Sequence, residues 1–554
     1  MEISAYIFLV VFSLMCLYIL SQYCWKQNYT KKFTLSFLLI LFLIIAVRIF
    51  KFSSLPGLDC DEAMGGINSW SLGKYGVDYF NLSKNPVYLF AWGAGMNILY
   101  PLITVPFVKA FGLSILTYRF PIIFINLVAI FLFSYAIIRA QWQKKSILIS
   151  LMVIFLTPWS IQSSRWAVES NLFPPLMIIS FSLFIISTTT VKKRKLWLSI
   201  SMLIIALSAY SYSSNWIFLA LFTIFICMWL WKIKFLSIKN ILLLAGMYVL
   251  MLWPLFIFLY VNYISHKQMR VLGLTITKLD AVRSVFVIGN GENLRAIIKN
   301  ILDVAKMFIT GVDGWPKTGL PLFGALYPFM LTFFFIGIIF YFFRENKTKF
   351  DTYMIIMLVS CTPSILLIQP SWTHYNALML PILYFEYKGV IGVFTENKTL
   401  FCFAGIFLII FGLFSFSYFN RHDQELLNGI NNTPTELGYM IKKADKSNNN
   451  IYLITNWQVN QTNVGAAYVL PLFYTRISPW KFANETSYAK AAEFIQYDHY
   501  GKWRLVDGQK VSANSKATHK NSIYMIQNGA VSQEYVKKLK VIDKGEYYTL
   551  YKMP

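Results

Sequence analysis

The chain is expected to fold as an all-α polytopic membrane bundle of about twelve transmembrane helices with a C-terminal extracytoplasmic α/β domain. Three observations predict this class. The sequence is 57% hydrophobic and only 14% charged, whereas soluble domains carry about a quarter charged residues. Apolar runs of about 18 residues or more, each able to cross a hydrocarbon core of about 30 Å as a helix, recur up to residue 420. Beyond that point the long runs stop and Asn, Lys, Ser and Tyr dominate, which divides the chain into 1–420 and 421–554.

Taken in order, spans are expected at 3–22, 33–49, 118–138, 146–162, 172–190, 196–212, 216–231, 241–261, 320–343, 352–369, 375–394 and 399–418. The first has neither a basic leader nor a small-residue cleavage site, so it reads as a retained helix and not a signal peptide. The formal charge of +25 invites a nucleic-acid reading. The cations, however, sit between apolar runs, where a membrane protein uses them to fix topology. Alternate connections carry Lys26/Lys31/Lys32, Arg139/Lys144/Lys145, Lys192/Lys193/Arg194/Lys195, Lys232/Lys234/Lys239 and Arg344/Lys347/Lys349. The positive-inside rule makes these cytoplasmic in a cell-membrane protein, with the N-terminus and everything after residue 418 outside. Of the six cysteines, Cys60 alone faces out, so no external disulfide pair exists and no metal-ligand spacing appears.

Three long segments then face outward: 50–117, 262–319 and 419–554. The first opens with Asp59, Asp61 and Glu62, continues in a polar stretch to Gly76, and reaches Lys84, Asn85 and Pro86. Its apolar part, 87–112, would break the charge alternation if it crossed, so it is expected to lie along the interface or against the bundle. Three carboxylates in four positions suit proton transfer or cation binding. They equally suit the N-terminus of the following helix, where Asp is a favoured cap. Glu169 opens the next external turn, either for chemistry or as a helix-end partner of Arg165.

The segment 262–319 is net basic, with Arg270, Arg283 and Arg295, and ends in Gly311-Val312-Asp313-Gly314-Trp315. That spacing predicts a tight turn with Trp315 at membrane level. Asp313 and Trp315 would suit a sugar, since aromatic faces stack on sugar rings; an interfacial Trp anchor is the commoner explanation. The aromatic run from Tyr210 to Trp216 has the same two readings. After residue 420, strands are expected at 451–455, 467–474, 522–527 and 546–552, with helices at 434–446 and 486–496. His499 and His519 lie there, without metal-ligand spacing or a nucleophile motif.

Several of these features, in this order, resemble the GT-C membrane glycosyltransferases. The likeness is to the bacterial branch that includes protein O-mannosyltransferases and lipid A aminoarabinose transferases. The carrying residues are Asp61-Glu62, the run from Gly73 to Asp78, Lys84-Asn85-Pro86, Phe111-Gly112, Tyr118-Arg119, Glu169, and the stretch from Thr373 to Pro381. The resemblance is good over the first two hundred or so residues, loose over the later helices, and only of type beyond them. It implies transfer of a sugar from a polyprenyl-phosphate donor to an extracytoplasmic acceptor (glycan, lipid or protein) at the bilayer surface. Asp61 would be the principal carboxylate, with Glu62 and Glu169 in support. Asp61 and Glu169 are also the candidate ligands if a divalent cation takes part. Lys84 would contact the carrier phosphate, and Arg119 would support the loop or the substrate. His374 stands where the family pattern has a more basic residue, which leaves His374 and Tyr375 as candidates only. The competing class is a polyprenyl-linked lipid transporter or flippase, which usually shows internal repeats and midplane sites. This sequence shows surface carboxylates and large external loops instead.

Overall fold

In the computed structural model, which describes residues 2–280, 287, 293–315, 317–343, 347–420, 432–433, 435–455, 468–491, 494–511 and 521–553, helices dominate up to residue 419. Arg283, Arg344, Ala467 and His519 lie outside these residues. Eight helices among them are long and apolar enough to cross a membrane: Ile3–Lys26, Lys31–Ile49, Ile115–Arg139, Glu169–Thr189, Ser213–Lys232, Ile238–Ser265, Lys349–Leu367 and Asn397–Phe419. The chain is a multi-pass membrane protein.

The expected dozen spans are therefore too many by this measure, although every expected region is largely helical. The region 146–162 is a pair, Lys144–Phe155 and Pro158–Arg165, bent by 56°, which makes a ninth span if counted as one. Arg194–Ser208 has 15 residues and Met330–Phe343 has 14. At about 1.5 Å per residue both fall short of a core of about 30 Å. Asn376–Val393 has 18 residues but carries Glu386 and Lys388. In the 87–112 stretch the helix is Leu99–Phe111, with Pro106 inside it.

Contacts divide the chain into two compact units, Met1–Phe52, Arg119–Trp253, Ser284–Asp423 and Ser53–Tyr118, Pro254–Arg283, Gln424–Pro554. This grouping puts 53–118 and 254–283 with the residues after 423. In the first unit, backbone close approach and polar clamps hold the helices, as expected where lipid tails compete with apolar side chains. A Cβ on Gly337 would collide with the Phe385 carbonyl and one on Gly389 with the Phe333 carbonyl, so these two helices meet backbone to backbone. Ser180 and Ser201 share a hydroxyl contact of 2.9 Å between the helices Phe173–Thr189 and Arg194–Ser208. The bend at Pro158 exposes carbonyls that Arg48 then takes up. Its Nη2 donates to Phe155 O at 3.0 Å and to Ser160 Oγ at 2.9 Å, while the Tyr327 hydroxyl donates to Leu156 O at 3.1 Å. Broken backbone inside a membrane bundle persists only when satisfied in this way.

In the second unit, a seven-stranded sheet runs in the order Lys540–Lys544, Tyr548–Lys552, Ser522–Gln527, Asn450–Thr455, Trp503–Asp507, Phe494–Tyr500, Thr486–Ala491. Its three central strands are parallel and its flanks antiparallel. Ile454, Tyr524 and Ile526 pack one face against Ala530, Tyr535 and Leu539. Two sequence expectations are overturned here. The 467–474 stretch is not a strand: it forms the helix Val469–Thr475, as Pro471, which cannot donate to a ladder, foreshadows. The 486–496 stretch is not a helix, since Thr486–Ala491 and Phe494–Tyr500 pair antiparallel. Sheet pairing overrides the helical preference of its alanines and lysine.

Candidate active site

Leu58 and Asp59 pair antiparallel with Thr433 and Asn432, and the helix Cys60–Tyr75 starts directly after them. Asp59 is its N-cap: Oδ1 accepts the Asp61 N–H at 2.7 Å, and the Glu62 carboxylate accepts the Asp59 N–H at 3.2 Å. This capping box occupies two of the three expected carboxylates with otherwise orphaned backbone donors. Asp59 and Glu62 are buried, whereas Asp61, in the same first turn, is exposed. The capping reading and the chemical reading thus divide between neighbouring residues.

Close packing fixes where that first turn sits. A Cβ on Gly65 would collide with the Tyr118 hydroxyl, and one on Gly66 would lie 2.5 Å from the Phe473 ring. Phe473 belongs to the helix Val469–Thr475, so the C-terminal segment helps to position the Asp61 helix. Tyr79 donates to Ile477 O at 2.9 Å, and Tyr75 meets Trp480 edge-on at 5.0 Å, along the same contact. The polar face of the helix is buried. Ser71 donates to Val77 O at 2.8 Å, Ser69 donates to Pro101 O at 3.0 Å, and Asn68 Oδ1 accepts the Tyr79 N–H at 3.0 Å.

Gly76 ends the helix in the left-handed region, and Asp78 then organises the following loop. Its carboxylate accepts N–H groups from Phe80 at 2.8 Å, Asn81 at 3.1 Å and Phe90 at 2.6 Å. Burial pushes this carboxyl up to about 6, against the three N–H donors that pull it down. Lys84 is exposed and bridges to Val77, while Thr275 donates its hydroxyl to the Lys84 carbonyl. Lys84 therefore sits just past the far end of the helix that begins at Asp61, about 20 Å away along the axis at 1.5 Å per residue. The two side chains cannot touch one atom, but they can serve the two ends of an extended substrate.

The other expected residues belong to the first unit. Glu169 is half-buried and opens the 3-10 turn Glu169–Leu172. Asn376 donates to Ser170 O at 2.7 Å, which places the Glu169 turn beside the turn carrying His374 and Tyr375. The Tyr375 hydroxyl is buried and donates to Ile368 O at 2.7 Å; His374 Nδ1 lies 2.9 Å from Gln369 O. Asp313 ties two loops together. Oδ1 accepts the Trp315 N–H at 3.1 Å and the Thr318 hydroxyl at 2.6 Å; Oδ2 accepts the Ser371 hydroxyl at 3.2 Å and the Trp372 N–H at 2.9 Å. Four donors match the lone-pair capacity of a carboxylate. Arg119 is fully buried and donates to Phe52 O at 3.1 Å, a contact that supports chain geometry. Arg165 is also fully buried and donates to the Val47 and Arg48 carbonyls, each at 2.8 Å, with its guanidinium 5.0 Å from the Phe419 ring centre.

No family model matches the chain, and no curated protein sequence matches it. Solved structures do. ArnT from Cupriavidus metallidurans in the apo state is similar over 93% of this chain and 96% of its own, with a TM-score of 0.45 and 11% identity. The same protein bound to undecaprenyl phosphate gives 0.46 over 94% and 98%, again at 11% identity. The Archaeoglobus fulgidus oligosaccharyltransferase complex with zinc and sulfate gives 0.47 at 11% identity, over 79% of this chain and 61% of that one. At this identity, and with TM-scores below 0.5, these likenesses carry no functional argument.

Among the described residues no three His, Cys, Asp or Glu side chains gather as a metal site would require. Sequence reasoning overlooked Arg48, although a cation in the last turn of an apolar span is visible in the sequence. It also overlooked the loop-forming role of Asp78, which only the burial of its carboxylate makes visible.

Proposed function

We propose that this chain is a membrane glycosyltransferase of the GT-C kind, moving a sugar from a polyprenyl-phosphate carrier to an acceptor on the extracytoplasmic side. One observation carries the reading: of the carboxylates that open the first long segment, Asp61 alone is exposed, while Asp59 and Glu62 are committed to the helix end. A carboxylate held on a rigid helix and open to solvent suits a general base. The acceptor hydroxyl oxygen attacks the anomeric carbon, its proton passes to Asp61, and the sugar–phosphate bond breaks with its electron pair leaving on the carrier phosphate. Lys84, at the other end of the helix, offers a cation that draws the anionic donor towards this face. Glu169, in the first unit, is the second carboxylate that the motif order singles out. Glu62 acts through the helix end. If a divalent cation takes part, Asp61 and Glu169 are the carboxylates to substitute first.

The order of Asp61-Glu62, Lys84-Asn85-Pro86, Tyr118-Arg119 and Glu169 along the chain supports the same reading. Purified protein, a labelled polyprenyl-phosphate sugar and a cell-envelope extract provide the test. The native chain should label an acceptor, and Lys84→Gln should raise the donor KM more than it lowers kcat. Movement of the carrier lipid across a bilayer with no glycosidic bond formed would favour a flippase.

A further inference from the structure

The helix Asn293–Thr310 carries Arg295, Lys299, Asp303 and Lys306 within 18 residues and is not among those apolar enough to cross a membrane. One of its faces is seated on the protein. Asn300 Nδ2 donates to the Ile365 and Ile368 carbonyls at 3.0 and 2.9 Å, Val304 and Met307 are buried, and Phe308 meets Trp372 edge-on at 5.1 Å. The other faces are open. With about 100° between successive residues, the exposed positions follow around the helix as Ile301, Leu294, Ile298, Ile309 and Leu302, then Arg295, Lys306 and Lys299. Leu294 is 72% exposed, Ile309 67% and Leu302 64%.

Five large apolar side chains facing water would be unfavourable at about 25 cal/mol for each Å² left wet. An apolar arc bordered by a cationic band is instead the arrangement of a helix lying in the plane of a membrane surface, with its apolar side among the upper acyl chains and its cations at the headgroups. Trp315, exposed beyond the helix end, belongs to a residue type that prefers this depth. We infer that Asn293–Thr310 is an in-plane binding element for anionic lipid. Arg295, Lys299 and Lys306 face the lipid phosphates, opposed on this helix only by Asp303. The same helix supports the turn bearing Trp372, His374 and Tyr375, so its lipid seat also steadies that part of the first unit. The inference rests on the chain being a membrane protein and not on glycosyl transfer.

The test uses the full chain in phosphatidylcholine vesicles, with or without phosphatidylglycerol. A nitroxide is placed by Leu302→Cys or Lys299→Cys in a Cys402→Ser background, and the unsubstituted background is labelled in parallel. With phosphatidylglycerol present, the label at 302 should be open to oxygen and shielded from a water-soluble nickel chelate, and the label at 299 should be open to the chelate. Omitting phosphatidylglycerol should raise chelate access at 302 several-fold. Combined Arg295→Gln, Lys299→Gln and Lys306→Gln should remove that dependence in a chain that keeps its helical circular dichroism. A label at 302 open to the chelate in both vesicles would overturn the inference. So would one shielded from both reagents, as under a second copy of the chain. Shielding that ignores phosphatidylglycerol would overturn the anionic-lipid assignment.

Discussion

Asp59, Asp61 and Glu62 show how three neighbouring carboxylates acquire different work from backbone geometry alone. Asp59→Ala removes the cap and should lower stability by about 1 kcal/mol, read as a lower melting temperature in detergent. The helix cap is Asp59 and not Asp61, so Asp61→Asn should lower melting less than Asp59→Ala does while removing transfer. A fall in melting as large as that of Asp59→Ala would make Asp61 a structural residue. Asp78 makes a prediction about pH. Its carboxyl ordinarily titrates at 3.8 and is pushed up to about 6 in the fold, so the folded chain holds that proton more tightly than the unfolded one. The stability this contributes is complete below about pH 3.8 and is lost as pH rises through about 6, on the order of 2–3 kcal/mol in all. Asp78→Asn should flatten the melting profile across that window relative to the native chain. Equal slopes in the two profiles would show that the loop carboxyl does not titrate there.

At the scale of elements, the helix Cys60–Tyr75 is the piece whose placement matters most. Gly65 and Gly73 both lie inside it, and Gly→Ala in a helix interior ordinarily stabilises by about 1 kcal/mol. A Cβ on Gly73 would meet Val105 Cγ1 at 3.4 Å, an ordinary contact, so Gly73→Ala should raise the melting temperature. A Cβ on Gly65 would enter the Tyr118 hydroxyl, so Gly65→Ala should cost about 1–3 kcal/mol and reduce activity by displacing Asp61. Equal effects from the two substitutions would contradict the packing described. This helix was legible in the sequence from the acids at its start and Gly76 at its end. Its neighbours were less so. Tyr118 and Phe473 reach it from distant points of the chain, and Pro471 argues against a strand at 467–474 without announcing where that run will pack. The strands at 486–491 and 494–500 were hidden for a related reason: partners across the sheet, and not local preference, decide their form. The loop-tying contacts of Asp313 were hidden because the sequence shows its turn but not the distant Ser371 and Trp372 donors.

For the whole molecule, composition and the spacing of apolar runs announced a multi-pass membrane bundle, and among the described residues eight helices meet that description by length and apolarity. What they could not announce is the grouping of 53–118 and 254–283 with the C-terminal residues, since Pro86, Val87 and Thr275 meet only once the chain has folded. Charge alternation predicts that the connections at Lys192–Lys195 and Lys232–Lys239 are cytoplasmic and that Asp61 is outside. Single cysteines placed at 193 and 61 should react with an impermeant maleimide only after and before cell lysis, respectively. Reaction of both before lysis would contradict the alternation. If Asp61 serves glycosyl transfer, purified native chain should incorporate label from a polyprenyl-phosphate sugar into an envelope acceptor, and folded Asp61→Asn protein should incorporate none; undiminished incorporation by that variant would remove Asp61 from the reaction.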